Sequence, residues 1–221
     1  MNGELVITDD VCGSFSSLVL EAYNSRPREK FAIALTGGET ARSCYERLAS
    51  DAAETIDWWE VDVFWGDERC VPADHPDSNQ LLGRRMLLEQ VGAANSVRPM
   101  RCEEGPEAYQ LLVGELGFFD VVHLGMGADG HTASLFAGSD VLEADPGQLV
   151  ALSEDPAGRN PHRRMTLTYA GIARSRLVVL TVAGASKAEA MRAIYAGADL
   201  PAARVSAEKV VWLVDPAASP L

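Results

Sequence analysis

FFDVVHLGMGADGH, residues 118–131, decides how the chain folds. Its first half is an apolar run without alternation, the pattern of a strand buried on both faces of a parallel sheet. Its second half sets glycines at 125, 127 and 130, then His131. Glycines so placed permit close backbone approach or positive φ, so the strand is expected to leave the sheet through a tight loop. The same grammar recurs on both sides. FAIALTGG (31–38) runs into ETARSCYERLAS (39–50), where Ala41, Cys44, Tyr45 and Leu48 share one helical face. WWEVDVFWGDER (58–69), RLVVLTVAG (176–184) and KVVWLVDPAA (209–218) are further strand candidates, and ASKAEAMRAIYAG (185–197) is a helix between the last two. ITDDVCGSFSSLVLEAYNSR (7–26) reads as a short strand and a helix capped by Asp9 or Asp10. Ser78 is the expected cap of a helix running to Val91, and PEAYQLLVGEL (106–116) is another helix. Unalternating strands separated by helices predict an α/β, three-layer α/β/α fold around an open, mostly parallel, Rossmann-like sheet. A length of 221 residues suits one domain over 1–221.

In such sheets ligands bind beyond the carboxyl ends of the strands. Four strand exits carry polar chemistry: TGGET (36–40), GDER (66–69), GMGADGH (125–131) and AGASK (183–187). His131 is the candidate general base, because an imidazole titrates near neutral pH. Asp129 is placed either to orient the imidazole or to organise the turn beneath it, and a helix is expected to begin near His131. The backbone N–H groups of Gly127 and Gly130 are candidate oxyanion donors. In TGGET, Gly37, Gly38 and Thr40 offer N–H and hydroxyl groups at a helix start, where an anion is favoured; Glu39 is expected to face solvent. If the strand continues through GDER, alternation sends Asp67 and Arg69 to one side and Glu68 to the other. Lys187 lies in an apparent first helical turn, where it opposes the helix dipole unless an anion binds. Arg163 or Arg164 is expected to close over the same anion. GMGADG follows a late strand and has no acidic residue about twenty positions on, so it is not read as a dinucleotide fingerprint.

The formal charge of −13 argues against a nucleic-acid partner. No apolar run approaches a membrane span, and MNGELVITDD carries no basic leader, so a cytoplasmic location is expected. Cys12, Cys44, Cys70 and Cys102 form no CxxC pair and are expected to be scattered reduced thiols. His75 and His162 lie in loops, and His123 inside a strand reads as packing. The histidine spacings suggest no metal site.

Longer stretches around these exits resemble the 6-phosphogluconolactonase family: TGGET, VFWGDERCVPADHPDSN (63–79), LGMGADGHTASLF (124–136), RMTLT (164–168) and VAGASKAEA (182–190), in order. The resemblance implies hydrolysis of 6-phospho-D-glucono-1,5-lactone to 6-phospho-D-gluconate, the second step of the oxidative pentose phosphate pathway. It implies no cofactor and a sugar-phosphate lactone as partner; a monomer or weak homodimer is expected. It assigns His131 as the base that activates water, and Arg69, Lys187 and one arginine of the 163–164 pair as phosphate or substrate ligands. Asp67 and Asn79 match polar positions of the sugar pocket. This chain has TGGETA where the family commonly has SGGSTP. Two alternatives belong beside this reading: a glucosamine-6-phosphate deaminase-like isomerase and a non-catalytic sugar-phosphate binder. The deaminase pattern carries a glutamate where this chain has Phe136, and an aromatic residue where it has Arg69.

Overall fold

The computed structural model describes residues 1–92 and 94–221. β1 (Glu4–Ile7) leads into α1 (Val11–Asn24), whose first turn Asp10 caps by accepting from Gly13 N at 2.8 Å. β2 (Phe31–Leu35) feeds α2 (Glu39–Ala52), and β3 (Val61–Trp65) is followed closely by β4 (Asp67–Arg69). α3 (Asn79–Gly83) widens into a π turn over 84–88 and closes as α4 (Glu89–Val91). β5 (Ser96–Val97) and α5 (Pro106–Leu116) precede β6 (Phe119–Gly125). The chain ends through β7 (Val150–Ser153), β8 (Arg164–Leu167), α6 (Tyr169–Ala173), β9 (Ser175–Val182), α7 (Ala188–Tyr195) and β10 (Lys209–Val214).

Seven strands form a parallel sheet in the order β1-β10-β9-β6-β2-β3-β5, flanked by helices, as the unalternating runs predict. All five residues of β2 are buried, as are the first six of β6. Phe15, Phe31, Trp65, Phe119 and Trp212 are the bulky members of this core. The chain winds outward from β2 through β3 in one direction and from β6 through β9 in the other. The crevice at the exits of β2 and β6 is therefore the topological switch point, where ligand sites form.

Three local expectations are corrected. GDER does not extend the strand before it. Gly66 N–H donates to Leu35 O at 2.7 Å while Gly66 O accepts from Leu167 N at 2.8 Å, so the chain leaves the large sheet there. β4 then joins a small antiparallel sheet in the order β4-β8-β7, with Asp67 opposite Thr166 and Arg69 opposite Arg164. No helix begins at His131. Thr132 Oγ1 donates to Gly125 O at 2.7 Å and Ser134 Oγ to Asp67 Oδ2 at 2.7 Å, and Ala133 takes a φ of 47°. Hydroxyls that bond across the loop hold the backbone in a tight turn instead. Cys70 and Cys102 are not free thiols but a disulfide, with Cα atoms 5.4 Å apart. Cys70 follows β4 and Cys102 lies just before α5, so only the fold brings them within bonding range. Cys12 and Cys44 stay unbonded. No helix among the described residues is long and apolar enough to cross a membrane.

Candidate active site

The four polar exits converge on one cavity of about 380 Å³. His131 lines it. Its Nδ1 lies 2.5 Å from Asp129 Oδ1, and both side chains are about one-fifth exposed. A carboxylate partner makes Nδ1 the protonated nitrogen and leaves the Nε2 lone pair free to take a proton. Burial pushes the Asp129 carboxyl up, but His131, its backbone N–H and Arg159 outweigh it, so the group sits below its usual range. Gly127 is required by this ring: a Cβ there would meet His131 Nδ1 at 2.1 Å. Phe136 walls the ring's far side with centroids 4.8 Å apart.

The expected oxyanion donors are otherwise engaged. Gly127 N–H donates to His131 O at 2.8 Å and Gly130 N–H to Gly127 O at 3.0 Å. Both shape the loop, and Gly130 also takes a φ of 80°. The N-terminus of α2 offers an alternative positive end. Its cap, Gly38, has a φ of 100° and no capping side chain, and Gly37, Gly38 and Thr40 line the cavity. A Cβ at Gly37 would meet Asn79 Oδ1 at 1.8 Å, so that glycine lets the Asn79 side chain lie on the loop. Glu39 turns to solvent, with Arg42 3.4 Å away.

Buried Asp67, Asn79 and Arg164, with half-buried Arg69, form a polar floor. Asn79 Nδ2 donates to Asp67 O and Oδ1 at 2.9 and 3.0 Å, and Arg69 donates to Asn79 Oδ1 at 2.6 Å and Asp77 O at 2.7 Å. Glu68 points away, as alternation predicts, and its carboxylate accepts from the N–H groups of Asn79 and Gln80 at the start of α3. Of the two candidate arginines, Arg164 lines the cavity, while Arg163 is exposed beside Glu154. Arg164 lies 3.7 Å from Asp67, and burial lowers its pKa more than Asp67 restores it. The Nε atoms of Arg69 and Arg164 are buried without a partner. Lys187, at the exit of β9 just ahead of α7, lines the same cavity. Burial pulls its pKa below the ordinary 10.5, with Asp129 acting in the opposite direction. Among the described residues no carboxylate lies within 4 Å of it. Partly desolvated cations and orphaned guanidinium N–H groups around one cavity are chemistry suited to an anion.

Two supporting groups escaped the sequence reading. Asn160 lines the cavity, and Arg159 lies 3.0 Å from Asp129 Oδ2. Both sit in a polar loop with no periodic pattern to mark them. His123 is packed, as expected, but it also holds the TGGET loop. It lies 3.0 Å from Tyr45 Oη and 2.9 Å from Thr181 Oγ1, and Tyr45 Oη accepts from Thr36 N at 2.7 Å. His75 and His162 both approach Asp77, whose backbone carbonyl accepts from Arg69. Among the described residues no cluster of three metal-ligating side chains occurs.

The family described as glucosamine-6-phosphate isomerases/6-phosphogluconolactonase matches residues 7–212. The chain belongs to this family. It is 37% identical over 207 residues to a 6-phosphogluconolactonase of Synechocystis, covering 85% of this chain and 83% of that protein. It is equally identical over 209 residues to the 6-phosphogluconolactonase of Mycobacterium tuberculosis, with the same coverage. Among solved structures, the 6-phosphogluconolactonase of Trypanosoma brucei superposes with a TM-score of 0.82 at 27% identity, over 98% of this chain and 97% of that one. A monomeric glucosamine-6-phosphate deaminase, 20% identical with a TM-score of 0.81 over 99% and 98% of the two chains, shares the fold.

Proposed function

We propose that this family member hydrolyses 6-phospho-D-glucono-1,5-lactone to 6-phospho-D-gluconate, with His131 activating the attacking water. The observation that carries the reading is His131 held by Asp129 in the cavity that also collects Arg69, Arg164 and Lys187. The phosphate lodges among these cations, which fixes the lactone carbonyl against the imidazole. Water adds to C1 as His131 Nε2 takes its proton. The negative charge on the carbonyl oxygen is met by the uncapped N–H groups at the start of α2 or by a neighbouring cation. The tetrahedral adduct then breaks its bond between C1 and the ring oxygen. The imidazolium returns the proton to that oxygen as it leaves, giving the open-chain acid. Asp67 and Asn79 face the sugar hydroxyls. No step calls for a metal or an organic cofactor.

Phe136 favours this reading over the deaminase. It presents a ring, not a carboxylate, to His131, so among the described residues Asp129 is the acidic partner within 4 Å of the imidazole. We further propose that residues 1–221 act as one domain, in the cytoplasm, as a monomer or weak homodimer.

The test is a coupled assay on freshly prepared lactone, corrected for spontaneous hydrolysis. His131→Ala is expected to lower kcat by about 10²–10⁴-fold while binding largely persists. Near-native turnover in that variant would remove His131 from the mechanism. Ammonia release from glucosamine 6-phosphate would overturn the substrate assignment, and tight binding of 6-phosphogluconate without lactone hydrolysis would leave only a binding protein.

A further inference from the structure

The segment between β7 and β8 is a strap built to deliver one side chain to the catalytic pair. Asp155, with its side chain almost fully buried, organises it. Asp155 Oδ1 accepts from Ala157 N at 2.9 Å, and Oδ2 accepts from Arg159 N at 3.0 Å, Asn160 N at 3.1 Å and Asn160 Nδ2 at 2.8 Å. Asn160 in turn reaches Arg164, accepting from it at 3.4 Å. Arg159 is thereby held at the cavity mouth, where its guanidinium lies 3.0 Å from Asp129 Oδ2. The opposite oxygen of that carboxylate carries His131. One carboxylate therefore bridges two N–H donors, the imidazole on one side and a permanent positive charge on the other.

We propose that Arg159 is a positioning residue that sets the protonation of the Asp129–His131 pair. This inference rests on the lactonase reading of the site. The physics follows from the shared carboxylate. A carboxylate that faces His131 alone would stabilise the imidazolium with its whole charge and hold the proton. Arg159 draws part of that charge toward Oδ2, so the pair releases its proton at lower pH and the free base persists into mildly acidic conditions. Arg159 also fixes the carboxylate plane, leaving Oδ1 turned to Nδ1.

On the strap itself, Asp155 Oδ2 lies 4.0 Å from Arg159 Nε and shares its charge, and the other charges near the pair come from four further elements. Lys187 at the exit of β9 acts on Asp129 in the same sense, at longer range. On the floor, Arg69 and Asp67 of β4 and Arg164 of β8 lie close together, the carboxylate offsetting part of the guanidinium charge. Glu39 of α2 is turned to solvent. Besides His131, Arg159 is the partner within 4 Å of the Asp129 carboxylate among the described residues. The Arg159 side chain is more than half exposed, so solvent screens it and the effect is moderate.

The experiment measures kcat/KM against pH for the full chain, Arg159→Gln and Arg159→Lys, with parallel NMR titration of the His131 ring. In Arg159→Gln the acidic limb and the NMR midpoint are both expected to move upward by roughly half a pH unit, a loss of about threefold in kcat/KM on the acid side. Above neutrality the variant should approach the parent. Arg159→Lys should restore most of the shift, since a cation returns without the planar fork. An unchanged limb and midpoint in Arg159→Gln overturn the proposal. So does a pH-independent rise in KM, which would make Arg159 a direct phosphate ligand. If the parent does not hydrolyse the lactone, the lactonase reading fails, while the NMR midpoint still decides the role of Arg159.

Discussion

His123 makes the fold vulnerable to acid in a way that can be calculated. Its ring is fully buried in β6, stacked on Phe15 at 4.1 Å between centroids and bonded to Tyr45 and Thr181. Burial pushes its pKa down to about 3 from 6.5. Below pH 6.5 the unfolded chain takes up a proton that the folded chain refuses. Stability contributed by the neutral ring is therefore present above about pH 6.5 and lost as pH falls toward about 3. Between pH 7 and pH 5 this group alone is expected to cost about 2 kcal/mol of folding stability. Urea unfolding of the parent and of His123→Gln at both pH values isolates it. The variant starts less stable, because it loses the stacked ring, but its loss between the two pH values should be smaller by that same 2 kcal/mol. Parallel pH dependences would refute the reasoning, as would an NMR titration of His123 with a midpoint above pH 5.

Gly127→Ala is expected to displace the His131 ring and lower kcat on the order of 10²-fold, with unfolding still cooperative; a fully active variant would show that the ring position is not critical. Lys187→Gln should raise KM by roughly ten- to a hundredfold with a smaller change in kcat, and in the parent KM should begin to climb at a lower pH than an ordinary lysine would give. Reducing the Cys70–Cys102 bond, which spans 32 residues, is expected to cost about 4 kcal/mol of stability in urea unfolding and to loosen neighbouring Arg69; a Cys70→Ser variant insensitive to reductant is the control.

Much of the site could be read in the chain because strand exits in an open parallel sheet must meet at its carboxyl edge. Once FAIAL, VDVFW, FFDVVHLG and RLVVLTV are recognised as buried strands, TGGET, GDER, GMGADGH and AGASK are neighbours by topology. Local pattern failed where partners lie far apart in sequence. Gly66 ends one strand only because Leu35 and Leu167 claim its two backbone groups. TASLF looks helical until Asp67 and Gly125 take its hydroxyls. The choice of Arg164 over Arg163 depends on a β8 register set by pairing with β4. Arg159 and Asn160 had no signal, because an aperiodic polar loop is positioned by its own hydrogen bonds and not by a buried face.

The sequence by itself determined the parallel α/β architecture, through period and punctuation, and the place of His131 at the end of a glycine-rich strand exit. The tertiary structure alone decided which groups surround that imidazole. Phe136 folds back onto it from five residues on, and Lys187 and the strap carrying Arg159 reach the site from separate segments. Their effect depends on distances of a few ångströms and on the loss of water between them, neither of which is encoded in any one segment.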